Sequence, residues 1–380
     1  MSRPNAWKFR RSPHVVCYWA DVQLFAHNYA DSTRLAVDAF QFSLINCCTR
    51  WCSVAVLARL TRRSHADIVR ALAHLVRVGI VERSRRPLRS RVSAAALEGW
   101  SRWNPAAGFF HFSTRNVQVE TDLAGSERDL RRKARTAPVP SPTKHYRGVP
   151  HVALPPPRTD GEFPSVLLAR RTWRRFDPRR VSLEDLSTLL GLTFGVHMTG
   201  TGNDGRELVF KTSPSGGACH PYEAYVLALG VEGLPRGLYH YASDRHRLNV
   251  LKTGASRRNV ARYVPVQWWY ESAAAIVFMT AVFPRVQWRY QSPRAYRSVL
   301  VEAGHLCQTF CLVATWLRLA PFCTLMLGDA ALERDLGVDG VAESFIYAAG
   351  VGSRPPGVDW APWPEHRKGN FFLPPERRRR

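Results

Sequence analysis

The sequence is short of lysine and of acidic residues, and its charge is correspondingly one-sided. Of its 380 residues, 54 are Lys or Arg and 30 are Asp or Glu, which gives a formal net charge of +24. Only six of the cations are lysine, so nearly all of the excess is arginine. Such a charge favours anionic partners, such as nucleic acid, a phosphate-bearing cofactor or an acidic peptide, without choosing among them. A general arginine bias of the genome produces the same excess.

Long apolar runs and paired cysteines are also missing. No stretch of 18 apolar residues is free of charge, and the first residues lack the apolar region of a signal peptide. We therefore expect a cytoplasmic protein with no membrane partner. No CxxC pair occurs among the eight cysteines, which excludes a zinc knuckle or a redox dithiol of that type. We expect reduced, mostly buried thiols and no metal site.

What is present is the composition of a folded protein, divided by a proline-rich stretch. Hydrophobic residues make up 45% and charged residues 22% of the chain, close to the globular average. Between about 135 and 164 the density of proline excludes helix interiors and central strands. We predict an N-terminal domain over 1–135, a linker over 136–160, a second domain over 161–360 and a basic tail over 361–380.

In the N-terminal domain, the pattern predicts two helices and a strand. An apolar helix over 54–60 precedes a break at 61–64 and a second helix over 66–78, with Ser64 as its N-cap. Gly79 is the predicted helix stop, and the strand follows it. The order resembles a winged-helix domain. Its arginines could contact DNA phosphates, but winged helices also dock peptides or pack against a neighbouring domain.

In the second domain, helical and strand-like patterns alternate, which predicts an α+β fold. Helices are expected over 182–192 and 295–319, and strands over 224–229 and 274–281. The long helix carries a stripe of apolar residues at intervals of three and four, wide enough for a core or a subunit interface. The stripe consists of Leu300, Ala303, Leu306, Phe310, Val313 and Leu317.

An arginine-rich stretch at 170–176 could bind a phosphate. If it is extended, Arg170, Thr172 and Arg174 share one side and can converge on a single anion. Guanidinium groups make bidentate, charge-assisted hydrogen bonds, and the hydroxyl adds one more donor. A solvated basic edge is the alternative.

A second stretch, Ser213 to Pro221, could contact a flat ligand. Gly216 and Gly217 let the backbone approach such a ligand closely and expose amide donors. His220 is either a proton carrier or a structural histidine.

Taken in order, these stretches resemble the nitroreductase-fold flavoproteins, and within them the SagB-type dehydrogenases. That branch includes the thiazoline/oxazoline oxidases of ribosomal peptide natural-product pathways. The resemblance spans about 160 to 356. It rests on Arg170–Phe176, Pro214–Tyr225, Gly237–Tyr241, Trp288–Tyr290, Arg294–Arg297 and Glu302–Gln308.

The resemblance implies an FMN-dependent enzyme with a central, mainly antiparallel sheet flanked by helices and with the flavin at a homodimer interface. Carried over residue by residue, it assigns three side chains to the ribityl phosphate: Arg170, Thr172 and Arg174. It assigns three further residues to the isoalloxazine ring: Ser215, Gly216 and Gly217. Arg354 would add a cation near the phosphate. Thr309 stands where the family often has asparagine, a change that leaves the flavin prediction in place.

The predicted catalytic pair departs from the family. Azoline oxidation sends a hydride to flavin N5 and needs a base for the proton of the adjacent carbon, and the family's oxidases place a Lys-Tyr pair there. Here the pair is Arg289-Tyr290, and arginine cannot act as a base in a protein. Either Arg289 stabilises the Tyr290 phenolate, or it binds a substrate carboxylate or phosphate in an enzyme that no longer oxidises azolines.

We therefore expect an FMN-dependent oxidoreductase that acts on a peptide or peptide-derived substrate, such as a thiazoline or oxazoline, beside a cyclodehydratase or another pathway enzyme. A basic N-terminal part would suit an acidic leader peptide. The alternatives are an FMN oxidoreductase of a small metabolite, a winged-helix DNA-binding protein that senses flavin or redox state, and a scaffold without catalysis.

Overall fold

The computed structural model describes residues 7–31, 33–84, 98–100, 102–115, 123–137, 141, 155–202 and 207–357. The predicted linker is described only in part, and the predicted basic tail lies outside these residues. The helices and strands of the N-terminal part are β1 (Lys8–Arg11), β2 (Val15–Ala20), β3 (Gln23–Asn28), β4 (Thr33–Ala36), α1 (Ala39–Cys47), β5 (Cys52–Ser53), α2 (Val54–Thr61), α3 (His65–Arg77), β6 (Val81–Arg83), α4 (Asn104–Ser113) and α5 (Leu123–Thr136).

The second part begins with a short apolar helix and contains the larger sheet. Its elements are α6 (Glu162–Ala169), α7 (Leu183–Phe194), β7 (Met198–Thr201), β8 (Glu207–Phe210), β9 (Tyr222–Ala228), β10 (Gly237–Ala242), β11 (Arg247–Thr253), α8 (Arg257–Tyr263), β12 (Ala275–Val282), α9 (Phe283–Arg289), α10 (Ala295–Trp316), β13 (Leu319–Thr324), α11 (Asp329–Leu336) and β14 (Glu343–Ser353).

In the described residues, six strands form one antiparallel sheet in the order β11-β10-β9-β12-β14-β13. The central strand β12 is apolar on both faces because helices cover both sides: Val277 and Met279 pack into one core, and Ile276 and Phe278 into the other. The expected α+β architecture, a mainly antiparallel sheet flanked by helices, is confirmed.

Helix α10 runs across one face of this sheet and ends at Trp316, three residues before its predicted end. Of the predicted apolar stripe, Ala303, Leu306 and Phe310 are buried against the sheet, whereas Leu300 is exposed, so only part of the stripe serves the core. The length and composition of α10 alone would allow it to cross a membrane, but half of its most apolar stretch is buried within the fold. A helix in the core of a folded domain can have the same length and composition.

In the N-terminal part, both predicted helices are present and begin and end within one residue of their predicted bounds. The Ser64 hydroxyl accepts a hydrogen bond from the Asp67 amide, and Gly79 adopts a φ of +76° directly after α3. Strand β1 pairs with both β5 and β6, and the helices pack on this three-stranded sheet around Leu57, Ile68 and Leu72.

The segment around α4 joins the two parts of the chain. Trp100 and Trp103 are fully buried in the core of the second part, and the Trp100 indole donates a hydrogen bond of 2.9 Å to the Val341 carbonyl. His111 pairs with the Tyr296 hydroxyl at 2.8 Å. Residues before the linker therefore complete the core beneath the start of α10.

Candidate active site

The glycine-containing segment Ser213–Pro221, here the glycine loop, connects β8 to β9 and is tied to α10. The Ser215 hydroxyl donates a hydrogen bond of 2.8 Å to the Glu302 carboxylate, and the Gly216 amide donates one of 2.9 Å to the other oxygen of the same group. Ser215 also accepts a bond from the amide of His220, which closes the loop on itself. One buried carboxylate on α10 thus fixes the backbone conformation of the loop.

Two further contacts attach the glycine loop to the same helix. The Ser213 and Thr309 hydroxyls lie 2.8 Å apart, and Thr309 also donates to the His305 carbonyl one turn earlier. The His305 ring is 3.4 Å from the Pro214 carbonyl. Thr309 therefore also holds the glycine loop on α10.

Burial governs the titration of the groups beneath the loop. It raises the pKa of Glu302, although the bonds from Gly216 and Ser215 oppose the shift. It lowers the pKa of His220 to about 4, with Lys211 as the next contributor, so the imidazole is uncharged at neutral pH. It also lowers the pKa of Lys211 to about 8. All three line one small pocket under the loop.

The predicted catalytic pair, at the end of α9, lies directly against the glycine loop. Gly217 has a φ of +61°, and a β-carbon added there would overlap the Arg289 guanidinium and lie 2.6 Å from the Tyr290 hydroxyl oxygen. Only glycine leaves room for this approach. The Trp103 indole donates a hydrogen bond of 2.8 Å to the Tyr290 carbonyl, so the N-terminal part also positions the pair.

The arginine-rich segment is extended and runs beside the edge strand β13. The Trp173 amide donates to the Pro321 carbonyl, and Trp173 itself is buried. Arg170, Thr172 and Arg174 are half-buried, whereas the intervening arginines 171 and 175 are exposed. This alternation in exposure is the one expected if Arg170, Thr172 and Arg174 lie on one side of the extended segment.

Arg354 lies at the end of the same helix that anchors the glycine loop. Its guanidinium donates to the carbonyls of Leu319 and Thr315, at 2.7 and 3.1 Å, and lies 5.6 Å from the centre of the Trp173 ring. It therefore satisfies carbonyls at the C-terminus of α10, a position that also suits a cation electrostatically. Burial lowers its pKa.

The predicted site residues thus fall into two groups within one chain. The ring-side residues are Ser215, Gly216, Gly217, Arg289 and Tyr290. The phosphate-side residues are Arg170, Thr172, Arg174 and Arg354. Glu302 anchors Ser215 and Gly216, and Thr315 anchors Arg354, so these two anchors lie roughly 20 Å apart along α10 at the rise of an α-helix.

Three residues of the site were not predicted from the sequence: Glu302, Trp103 and Lys211. Glu302 had a signal, because it is the single acidic residue of the long helix. Lys211 is one of only six lysines and precedes the loop by two residues. Trp103 had no local signal, since its partner Tyr290 lies 187 residues away.

Comparison with known proteins identifies the family of the second part. A family model described as the nitroreductase family matches residues 167–353. A putative nitroreductase of Methanocaldococcus jannaschii is 32% identical over 154 residues, which covers 40% of this chain and 73% of that protein. The chain belongs to the nitroreductase family. Its nitroreductase part contains every predicted cofactor and catalytic residue except Arg354, which follows the matched range directly.

Two further similarities are to a trifolitoxin-processing protein and to a solved structure that contains FMN. The trifolitoxin-processing protein TfxB of Rhizobium leguminosarum is 30% identical over 180 residues, 45% of this chain. The chain spans only 47% of the length of TfxB. Among solved structures, a putative nitroreductase of Desulfovibrio desulfuricans in complex with FMN is similar over 52% of this chain and 94% of its own, with a TM-score of 0.35 and 18% identity. The nitroreductase part alone accounts for the family assignment.

Proposed function

We propose that this chain is an FMN-dependent oxidoreductase of the SagB type that acts on a peptide or peptide-derived substrate, such as a thiazoline or oxazoline. The observation that carries the proposal is the contact of Arg289 and Tyr290 with Gly217. This contact brings together two parts of the site that the resemblance assigns to different roles. The glycine loop is assigned to the flavin ring, and the Arg289-Tyr290 pair is assigned to the substrate. Membership of the nitroreductase family and similarity to a trifolitoxin-processing protein support this function.

The residues of the glycine loop fit a flavin ring. Gly216 is exposed and carries no side chain, and Glu302 holds its backbone amide in place. The phosphate-side residues supply three arginines and a hydroxyl, which suit a dianion. When bound, FMN would supply the acceptor for a hydride.

Tyr290 is then the base for the proton that leaves the carbon adjacent to the hydride donor. The Arg289 guanidinium lies 5.5 Å from the centre of the Tyr290 ring, so a positive charge stands beside the proposed base. Trp103 fixes the Tyr290 backbone through its carbonyl. His220, uncharged at neutral pH and folded into the loop, serves a structural role in this scheme.

A homodimer would bring the ring-side and phosphate-side residues of different protomers together across α10. The distance of roughly 20 Å along that helix between the Arg354 anchor and Glu302 favours this arrangement over a site formed by one chain. An apolar surface is also available, because α6 has no buried residue and Phe163, Leu167, Val301 and Trp316 are exposed on α6 and α10. A cyclodehydratase or another pathway enzyme would be a further partner.

The first experiment is the visible spectrum of the freshly purified protein, with mass identification of anything released on denaturation. Flavin bands and released FMN are expected; a colourless protein that does not take up added FMN would remove the proposal. With FMN present, Tyr290→Phe should lower turnover about 10²- to 10⁴-fold, the usual contribution of a general base. Tyr18→Phe, in the N-terminal sheet, is the control.

The substrate class needs a separate test. Turnover of azoline-bearing peptides is compared with and without their leader segment, at equal core sequence. Dependence on the leader supports the peptide substrate. Equal turnover of a free, small azoline would favour the small-metabolite alternative while leaving the flavin chemistry intact.

A further inference from the structure

Three cysteines outside the proposed active site converge from two elements of the fold. Cys307 and Cys311 lie four residues apart on one face of α10, and Cys323 lies on the edge strand β13. Their sulfur atoms all lie within 4.8 Å of one another. Cys307 and Cys311 are buried, and Cys323 is partly buried. The sequence spacing did not reveal this cluster, because the third member comes from the following strand.

The spacing of the sulfurs suits a single small cation. Thiolates bound to zinc at about 2.3 Å in a tetrahedral site lie about 3.8 Å from one another, so small side-chain movements would close the cluster around an ion. Three ordinary core thiols have no need to face one another, since each packs as a small apolar group.

The surroundings of the cluster supply the hydrogen bonding and charge that such a site needs. The Tyr347 hydroxyl hydrogen-bonds with Cys323. The Arg170 guanidinium lies close enough to Cys311 and Cys323 to interact electrostatically with both.

We propose that Cys307, Cys311 and Cys323 bind one thiophilic d¹⁰ cation, Zn²⁺ or Cu⁺. Binding releases the thiol protons to solvent and forms three metal–sulfur bonds. With Zn²⁺, three thiolates leave one negative charge, which Arg170 offsets, and the Tyr347 hydroxyl or a water completes four ligands. With Cu⁺, three thiolates alone satisfy the ion.

Such an ion would attach the C-terminal half of α10 to the edge of the sheet. The segment that carries the phosphate-side arginines is hydrogen-bonded to the same edge strand, through the Trp173 amide and the Pro321 carbonyl. The ion would therefore stabilise the support of that segment without touching a substrate.

The test measures metal content and affinity in the full chain. The protein is purified without chelators, reduced, desalted under anaerobic conditions and analysed by plasma mass spectrometry. About one Zn or Cu per chain is expected. Anaerobic titration with Zn²⁺ and with Cu⁺, each against a competing chelator, then identifies the ion. Substitution with Co²⁺ should give the intense charge-transfer bands of cobalt–thiolate bonds.

Cys323→Ala should weaken binding at least tenfold, whereas Cys48→Ala, a buried thiol in the N-terminal core, should leave it unchanged. If Cys323→Ala does not fold, protection of the three wild-type thiols from alkylation by added Zn²⁺ or Cu⁺ gives the same information. The proposal is overturned if neither ion binds more tightly to the wild type than to the variant, or if the isolated protein contains a disulfide between Cys323 and either helix cysteine. None of these readouts depends on FMN.

Discussion

The Glu302 carboxylate and the Ser215 hydroxyl, 87 positions apart in the chain, form a 2.8 Å hydrogen bond that fixes the glycine loop on α10. The second carboxylate oxygen accepts the Gly216 amide. One buried side chain therefore satisfies two hydrogen-bond donors of the loop.

Replacing Glu302 by leucine should therefore destabilise both the fold and the loop. Glu302→Leu keeps the side-chain size but leaves the Ser215 hydroxyl and the Gly216 amide without this acceptor, at a cost of about 1–3 kcal/mol in the free energy of unfolding. Glu302→Gln retains one acceptor and should lose less. Denaturant unfolding and FMN titration are the measurements, with Glu184→Gln on the exposed start of α7 as the control. Equal FMN affinity in all three variants would contradict a role in holding the loop.

Gly217 and Gly233 offer a matched pair of substitutions. Both have positive φ, +61° and +69°, so alanine at either position costs about 1–2 kcal/mol of backbone strain. Only at Gly217 does the new methyl group meet Arg289 and Tyr290; at Gly233 nothing lies within 4 Å. We expect a lower melting temperature in both variants but a loss of turnover only in Gly217→Ala. If both variants keep wild-type turnover, catalysis does not depend on the close approach of Arg289 and Tyr290 to Gly217.

Local signals in the sequence predicted the elements better than their contacts. Ser64 and Gly79 fixed the two ends of α3 because a cap hydroxyl and a left-handed glycine act within a few residues. The closeness of Arg289 and Gly217 was implied only by the family resemblance, since no periodicity links residues 72 positions apart. The contacts of Glu302, Trp103 and Cys323 depend on how the helices pack on the sheet. Neither the sequence pattern nor the family resemblance predicted these contacts.

His111 should make stability sensitive to acid. Burial, with a smaller contribution from Arg115, lowers its pKa to about 3, so the folded protein keeps it neutral while the unfolded chain protonates it near pH 6.5. The unfolded state thus binds more protons, and stability falls as the pH drops from about 6.5 towards 3.

The measurement is the free energy of unfolding in urea between pH 7 and 4.5. Relative to wild type, His111→Gln should flatten the profile by up to about 1.4 kcal/mol per pH unit, the value for one proton. The intercept will also change, because the bond to Tyr296 is altered, but the slope reports the titration. His65→Gln, at the exposed start of α3, serves as the control. An unchanged slope in His111→Gln would assign the acid sensitivity to other groups.

The last prediction separates the two roles open to Arg289. If the guanidinium assists Tyr290 as the base, removing its charge in Arg289→Met should lower kcat, while Arg289→Lys keeps the charge and most of the wild-type kcat. KM should change little in either variant, because the substrate does not contact the charge. If Arg289 instead binds a substrate carboxylate or phosphate, KM should rise in both variants, more in Arg289→Met, and kcat should change little. Lysine loses the bidentate geometry of arginine, so it cannot fully replace it in that second role. Measurements of kcat and KM for the three proteins therefore decide between two roles of Arg289. It either assists proton abstraction from an azoline or binds an anionic group of the substrate.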